Sequence, residues 1–281
     1  MPSSAIQLRN LTEADIPFAM RLKTAAGWNQ TEADWRRFLE LEPSGTFLAE
    51  FEGQPAATVT ALNYEQKFGW IGMMLVAPER RRLGIASALL QHSVAYLTQR
   101  GVETAKLDAT PAGKTVYDQF GFHDEYLLER RLRPASTVPP KVAGCARIVP
   151  RDLDRVAEFD ATCFGADRRR LLATLLRDAP DLCFQTDGGF VMGRRGMTAT
   201  QIGPWVAENE SVAERLLCAV LDAIGNAPVI LDVPMCNRRA DFLSTKFGFQ
   251  KQRELIRQHR GPNSHPGDPS QVFGIAGPEL G

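Results

Sequence analysis

The sequence predicts a mixed α+β fold of two tandem domains, each a mixed, mostly antiparallel sheet flanked by helices. Three observations carry this prediction. Residues 70–76 are an apolar run of strand length, 81–86 form a tight turn bearing arginine and glycine, and 84–99 space Ile85, Leu89, Val94 and Leu97 along one helix face. The run at 70–76 is the third of three strand-like runs, after 46–51 and 56–64, joined by short turns as in a meander. Past a proline-rich segment the same order of elements recurs, and both passes end alike, at Phe120-Gly121-Phe122 and Phe247-Gly248-Phe249.

A chain of 281 residues with 44% hydrophobic content is long enough for two domains with ordinary cores. Lys plus Arg equals Asp plus Glu at 33 each, so no global field favours nucleic acid or membrane as a partner. No stretch reaches the roughly eighteen uncharged residues of a membrane helix, which predicts a cytoplasmic protein. The five cysteines are odd in number, lie in the second half and never form Cys-x-x-Cys, so they read as reduced. None of the four histidines stands at ligand spacing, so no metal is expected. Nothing in the sequence reports an oligomeric state.

In chain order, residues 6–9 read as a strand, and Thr12-Glu13-Ala14-Asp15 opens a helix to about residue 26 with a capping-box pattern. Thr31, with Asp34 three residues on, opens a second helix, leaving Gly27-Trp28-Asn29-Gln30 between them. After the meander and the helix at 84–99, residues 104–110 read as a strand laid parallel to 70–76 through a crossover. A short helix carries Val116 and Tyr117, and 122–133 closes the first domain as a long strand. The expected division is 1–133, a linker at 134–144 with three prolines, and 145–281. In the second part, 146–150, 211–224, 228–233 and 237–249 mirror the opening strand, the long helix, the strand after it and the short helix.

The turn at 81–86 is suited to phosphate. Gly84, without a side chain, and Ala86, with only a methyl, let backbone N–H groups approach an anion closely, and the helix N-terminus adds unpaired donors and a positive dipole end. No carboxylate lies between Arg80 and Gln99. The pattern Arg81-x-x-Gly84-x-Ala86 between strand and helix resembles the pyrophosphate-binding motif of the GNAT superfamily of N-acetyltransferases, and residues 116–122 resemble that superfamily's second signature. The whole arrangement is similar to YitH-type two-domain GNAT proteins, in which a diverged second domain follows an active first one. That resemblance extends to Asp160, Phe164-Gly165-Ala166-Asp167-Arg168, Gln201-Ile202-Gly203-Pro204 and residues 273–281.

The resemblance implies acetyl-CoA as cofactor, held by Met74, Leu75, Val76, Arg81, Arg82, Leu83, Gly84, Ile85, Ala86 and Ser87, with the backbone N–H of Met74 or Leu75 polarising the thioester. It implies that Tyr117 is the general acid for the leaving thiolate. The glutamate that many relatives carry before the turn is missing between residues 70 and 77, so Asp108 becomes a candidate base or a group that holds the acceptor's ammonium. Trp28, Asn29 and Trp35 become candidates for lining the acceptor pocket, since this helix-loop-helix region covers it in the family.

The second half lacks the phosphate turn. From Val76 to Leu89 is thirteen steps, but from Val206 to Leu216 only ten, with Glu208 and Glu210 replacing the arginines and Ser244 replacing Tyr117. Gly113-Lys114-Thr115 resembles the end of an ATP-binding loop, but Asp108 stands where that loop needs glycine. The function implied is acetyl transfer to the primary amine of a small or amino-acid-like acceptor. A peptide or protein acceptor, and a non-catalytic coenzyme A-binding regulator, are the alternatives.

Overall fold

The computed structural model describes residues 6–135 and 144–281, so most of the expected linker, 136–143, lies outside the described residues. The first half runs β1 (Ile6–Asn10), α1 (Ile16–Ala25), α2 (Glu32–Leu41), β2 (Thr46–Phe51), β3 (Gln54–Tyr64), β4 (Phe68–Val76), α3 (Ile85–Gln99), β5 (Ala105–Ala109), α4 (Pro111–Gln119) and β6 (His123–Arg133). The second half follows the same plan. Its elements are β7 (Ala146–Arg147), α5 (Leu153–Phe164), α6 (Arg169–Asp178), β8 (Phe184–Thr186), β9 (Gly189–Arg194), β10 (Thr200–Ala207), α7 (Glu210–Ile224), β11 (Val229–Pro234), α8 (Arg238–Lys246), β12 (Gln250–Arg260) and β13 (Val272–Gly274).

Local sequence accounts for the ends of these elements. The Thr12 N–H and hydroxyl both donate to Asp15 Oδ2 at 2.8 Å, and Thr31 repeats this on Asp34 at 2.7 and 3.0 Å, so each cap satisfies donors that the first helical turn cannot. Thr110 caps α4 by accepting from the Gly113 N–H at 3.1 Å. α3 buries Ile85, Leu89, Leu90, Ser93 and Leu97, the spacing of one helix face. β1 to β4 are antiparallel neighbours, and β4 meets β5 in parallel only through Gly69–Ala105 and Trp70–Lys106. Beyond Trp70 the two strands part.

The long strand at 123–133 does not return to β5, as a strand closing its own half would. β12 takes that place, paired antiparallel from Ile256–Ala109 to Arg260–Ala105, while β6 lies between β12 and β11. The halves have exchanged their last long strands, and a single sheet runs β1-β2-β3-β4-β5-β12-β6-β11-β10-β9-β8-β7. Side-chain chemistry explains why β6 belongs to both. Arg130 makes two bonds of 2.8 Å to Asp232, Arg131 reaches Asp241 and Ser244, and Arg133 donates to the Phe247 carbonyl, so three strand arginines find their acceptors in the second half.

The hydrophobic cores follow this joining. Trp35, Phe38, Tyr64, Phe68 and Trp70 share one cluster with Phe164, Leu171, Leu175, Phe190 and Leu280, while α3 and α7 each cover their own half of the sheet. Asp160 and Arg168, two of the residues carrying the resemblance, form a buried two-bond pair at 2.7 and 2.9 Å, and Arg168 also donates to Gly281 O at 2.6 Å. Their work is structural, since they fix the final segment. In the second half, β10 and β11 run in parallel and β13 hydrogen-bonds to β10, with the Ile275 N–H donating to Asp232 O on β11. The opening that corresponds to the β4–β5 gap is therefore occupied by the chain itself.

Candidate active site

The gap between β4 and β5 begins at an irregularity in β4. Gly72 pairs with Thr60 and Leu75 with Thr58, so Met73 and Met74 together oppose the single residue Val59. Met73 takes a φ of +50°, unusual for a side chain of its size, and the Thr58 hydroxyl donates to its carbonyl at 3.0 Å. Such a bulge turns the following backbone out of the ladder, here toward the gap.

A groove of about 560 Å³ runs from this point to the N-terminus of α3, lined by Met74, Leu75, Val76, Arg80, Arg81, Arg82, Gly84, Ile85, Ala86, Ser87 and, across the gap, Thr110, Val116 and Tyr117. Gly84 holds φ at +80°, and a Cβ there would meet no protein atom within 4 Å, so glycine is required by backbone conformation and leaves open space beside the turn. The first α3 hydrogen bond runs from the Ala88 N–H to Gly84 O at 3.0 Å, which leaves the N–H groups of Ile85, Ala86 and Ser87 without intrahelical acceptors. Among the described residues, neither Arg81 nor Arg82 is paired with a carboxylate, whereas Arg80 is held by Glu52 at 3.2 Å. These donors and cations fit a pyrophosphate. Leu83 departs from the expected lining, because it is 45% exposed with its side chain turned to solvent, and only its place in the loop matters.

A second, deeper cavity of about 80 Å³ adjoins the groove, lined by Gln30, Gly72, Met73, Asp108, Arg130, Arg253, Leu255 and Glu279 among others. Trp28, Met74, Thr110 and Tyr117 line both spaces, which sets the junction at the bulge. Tyr117 packs against Phe122 with ring centroids 6.0 Å apart, and burial pushes its phenol up to about 12. It therefore keeps its proton at neutral pH.

The other expected residues fall out differently. Trp28 lines both cavities. Asn29 does not reach either one; its amide donates to the Ala199 carbonyl at 2.9 Å and accepts from the N–H groups of Thr198 and Ala199, tying the α1–α2 loop to the second half. Trp35 is 0% exposed and packs edge-on to Phe38 in the shared core, so it is a core residue. Asp108 does line the deep cavity, but both its oxygens are taken by Arg257, at 2.8 and 2.9 Å. Burial raises its carboxyl against that pairing, yet as a proton acceptor it would have to release Arg257. Lys114 is engaged by Asp118 and Asp124 at 2.9 and 2.8 Å.

Glu279, Arg130, Arg253 and Gln30 are the cavity residues that sequence reasoning missed. Glu279 arrives because the final segment lies directly on β4: the Trp70 indole donates to the Pro278 carbonyl at 2.9 Å, the Tyr64 hydroxyl to Leu280 O at 2.8 Å, and a Cβ on Gly72 would come within 2.9 Å of the Glu279 backbone. Its Oε1 accepts from Arg194, which also binds Asp34, and no described residue donates to Oε2. Gly72 was the available signal, an unexplained glycine inside a strand that marks a close backbone approach. Among the described residues there is no cluster of potential metal ligands, and no helix is long and apolar enough to cross a membrane.

Comparison with known proteins agrees with this geometry. Residues 10–122 match the acetyltransferase (GNAT) family, and 156–274 match a second acetyltransferase (GNAT) domain. The chain is 26% identical over 271 residues to the holothin acyltransferase of Pseudoalteromonas sp., covering 92% of this chain and 88% of that one. A candidate acetyltransferase from Pyrococcus horikoshii superposes with a TM-score of 0.87 at 25% identity, over 100% of this chain and 98% of the other. A tandem GNAT protein from the clavulanic acid biosynthesis pathway shares the fold at a TM-score of 0.63 and 15% identity, over 92% of this chain and 100% of its own.

Proposed function

Since the chain belongs to the GNAT superfamily of acyltransferases, with two GNAT domains in tandem, we propose that its first half transfers acetyl from acetyl-CoA to the primary amine of a small, amino-acid-like acceptor. One observation carries the reading: the phosphate-compatible groove and the smaller cavity bearing Asp108, Arg253 and Glu279 meet at Met74 and Tyr117, where a thioester and an amine would have to meet. The small volume of the second cavity, about 80 Å³, favours a small acceptor over a protein surface.

Acetyl-CoA, when bound, supplies the activated acyl carbon. Arg81, Arg82 and the free N–H groups of α3 would hold its pyrophosphate, and the unpaired edge of β4 would hydrogen-bond its amide arm as an added half-strand. A backbone N–H at Met74 or Leu75 would stabilise the acyl oxygen as it gains charge during attack. Tyr117 would hold the proton that the departing thiolate takes up, and would regain one from the amine nitrogen once the amide has formed. Glu279, whose Oε2 is left open, would hold the acceptor's ammonium, and of the two protons that the nitrogen sheds one would replace the proton Tyr117 gives up and the other would pass to water.

The test combines calorimetry of coenzyme A with thiol release from acetyl-CoA over a panel of amines, amino acids, polyamines and aminoglycosides. The expected result is coenzyme A binding that Gly84→Val abolishes at unchanged fold, with turnover on part of the panel. Binding without turnover on amines or peptides would favour a regulatory binder, and no binding would remove the cofactor assignment.

A further inference from the structure

The deep cavity contains a cation that makes no ion pair with any described residue. Across neighbouring strands the register sets Asp232 on β11 opposite Arg130 on β6, and Arg130 opposite Arg253 on β12. Gln201 completes the inner end of the row by donating to Asp232 Oδ2 at 2.9 Å. Arg130 is satisfied by its two bonds to Asp232, so the row holds one carboxylate for two guanidinium groups. The surplus charge is on Arg253, at the cavity.

Arg253 is there because of an extra residue. In β12, Lys251 pairs with Arg131 and Arg253 with Arg130, so Gln252 is bulged out of the ladder. Without that bulge, alternation would set Gln252 opposite Arg130 and send Arg253 to the other face. None of the hydrogen bonds or ion pairs among the described residues involves the Arg253 side chain, and its Nε is buried without a partner. The nearest opposite charges are committed elsewhere, Asp232 to Arg130 and Gln201, and Glu279 Oε1 to Arg194. A guanidinium partly withdrawn from water, with its Nε buried and unpaired, gains from an anion brought to it.

We propose that Arg253 is the carboxylate-recognition residue of the acceptor site, so that the acceptor is an amino acid, its carboxylate on Arg253 and its ammonium toward Glu279. This rests on the acetyltransferase reading above. The planar fork of arginine suits two-point binding of a carboxylate, and the cavity's volume of about 80 Å³ limits what accompanies that group. The opposed charges of Arg253 and Glu279 in one cavity match a dipolar molecule better than a simple amine or a polyamine.

The experiment compares each of alanine, leucine, phenylalanine and β-alanine with its decarboxylated amine, plus phosphoethanolamine, by thiol release from acetyl-CoA, in the wild type, Arg253→Met and Arg253→Lys. Coenzyme A affinity is measured alongside by calorimetry. The wild type is expected to prefer at least one amino acid over its amine by tenfold or more in kcat/KM. Arg253→Met should raise KM for that amino acid by about ten- to a hundredfold, the worth of a charged hydrogen bond, leave the amine unchanged and leave coenzyme A affinity intact. Arg253→Lys should recover part of the preference. The denaturation midpoint of Arg253→Met should not fall, because the side chain it removes is unpaired. Coenzyme A binding with equal use of amines and amino acids, with no amino acid used, with phosphoethanolamine preferred, or with a preference that survives Arg253→Met would each overturn the assignment. Loss of coenzyme A binding in the wild type would instead overturn the acetyltransferase reading beneath it.

Discussion

At Tyr117 the phenol stands where the two cavities join, and its surroundings raise its proton affinity to about 12. Tyr117→Phe is expected to lower kcat by about ten- to ten-thousandfold, the range of general acid catalysis, with coenzyme A affinity unchanged by calorimetry. A rate equal to the wild type would reduce Tyr117 to packing. The raised value also predicts no loss of rate attributable to this group between pH 7 and pH 10, readable from a kcat–pH profile of wild type against Tyr117→Phe. Tyr117 was legible in sequence because its distance from Gly121 is local and the short helix fixes it. Arg253 and Glu279 were not, because only a bulge in one strand and the docking of a remote segment bring them to the cavity. Asn29 and Trp35 were misplaced for a related reason: a polar or aromatic residue in a loop or a capped helix carries no mark of which neighbour will claim it.

Among the elements, β4 and the final segment form one functional unit. A Cβ on Gly72 would sit 2.9 Å from the Glu279 Cα and O, backbone atoms that cannot rotate aside. Gly72→Ala should therefore displace residues 278–280 and raise the acceptor KM by tenfold or more while coenzyme A affinity holds, as measured by steady-state kinetics and calorimetry. Equal loss of both would mean that β4 itself had moved. The backbone course of the turn at 81–86 was readable from sequence, since it depends on Gly84 and on the consecutive N–H groups that open α3. The same reasoning applied to 81–86 could not tell that Leu83 faces solvent.

Over the whole molecule, the exchange of β6 and β12 means that neither half completes its sheet alone. A single cooperative thermal transition is expected by calorimetry, with separately made halves unable to fold until mixed; two resolved transitions would contradict it. The halves are also joined by a buried chain of charges in which Arg37 bonds Asp34, Asp178 and Thr174, and Arg194 bonds Asp34 and Glu279. Burial alone would raise the Asp34 carboxyl, but Arg194 and Arg37 outweigh it and hold it below its ordinary value. A carboxyl lowered by folding stabilises the fold above its unfolded value of about 3.9, and that contribution is lost as pH falls through the folded value. Acid unfolding should thus steepen below about pH 4, and Asp34→Asn should flatten that slope. Breaking such a buried network from one side costs on the order of 3–5 kcal/mol, measurable by chemical denaturation.

The sequence by itself determined the order of elements, the tandem plan, the glycine turn at 81–86, the short helix that carries Tyr117 and the absence of that turn from the second half. Each is written in periodicity, in a glycine at a required φ or in the spacing of a short motif, all of which act within a few residues. Only the tertiary structure decided which strand lies beside β5, that β13 occupies the second opening, and which charges face the acceptor cavity. β12 reads Gln-Lys-Gln-Arg-Glu-Leu-Ile-Arg-Gln-His-Arg, a composition that suits a solvated edge. It is central instead, because its buried Arg257 meets Asp108 on β5 and Tyr126 on β6, and its buried Gln258 meets Asp124 on β6. Pairing energy of that kind depends on residues more than a hundred positions apart, and no local pattern records it.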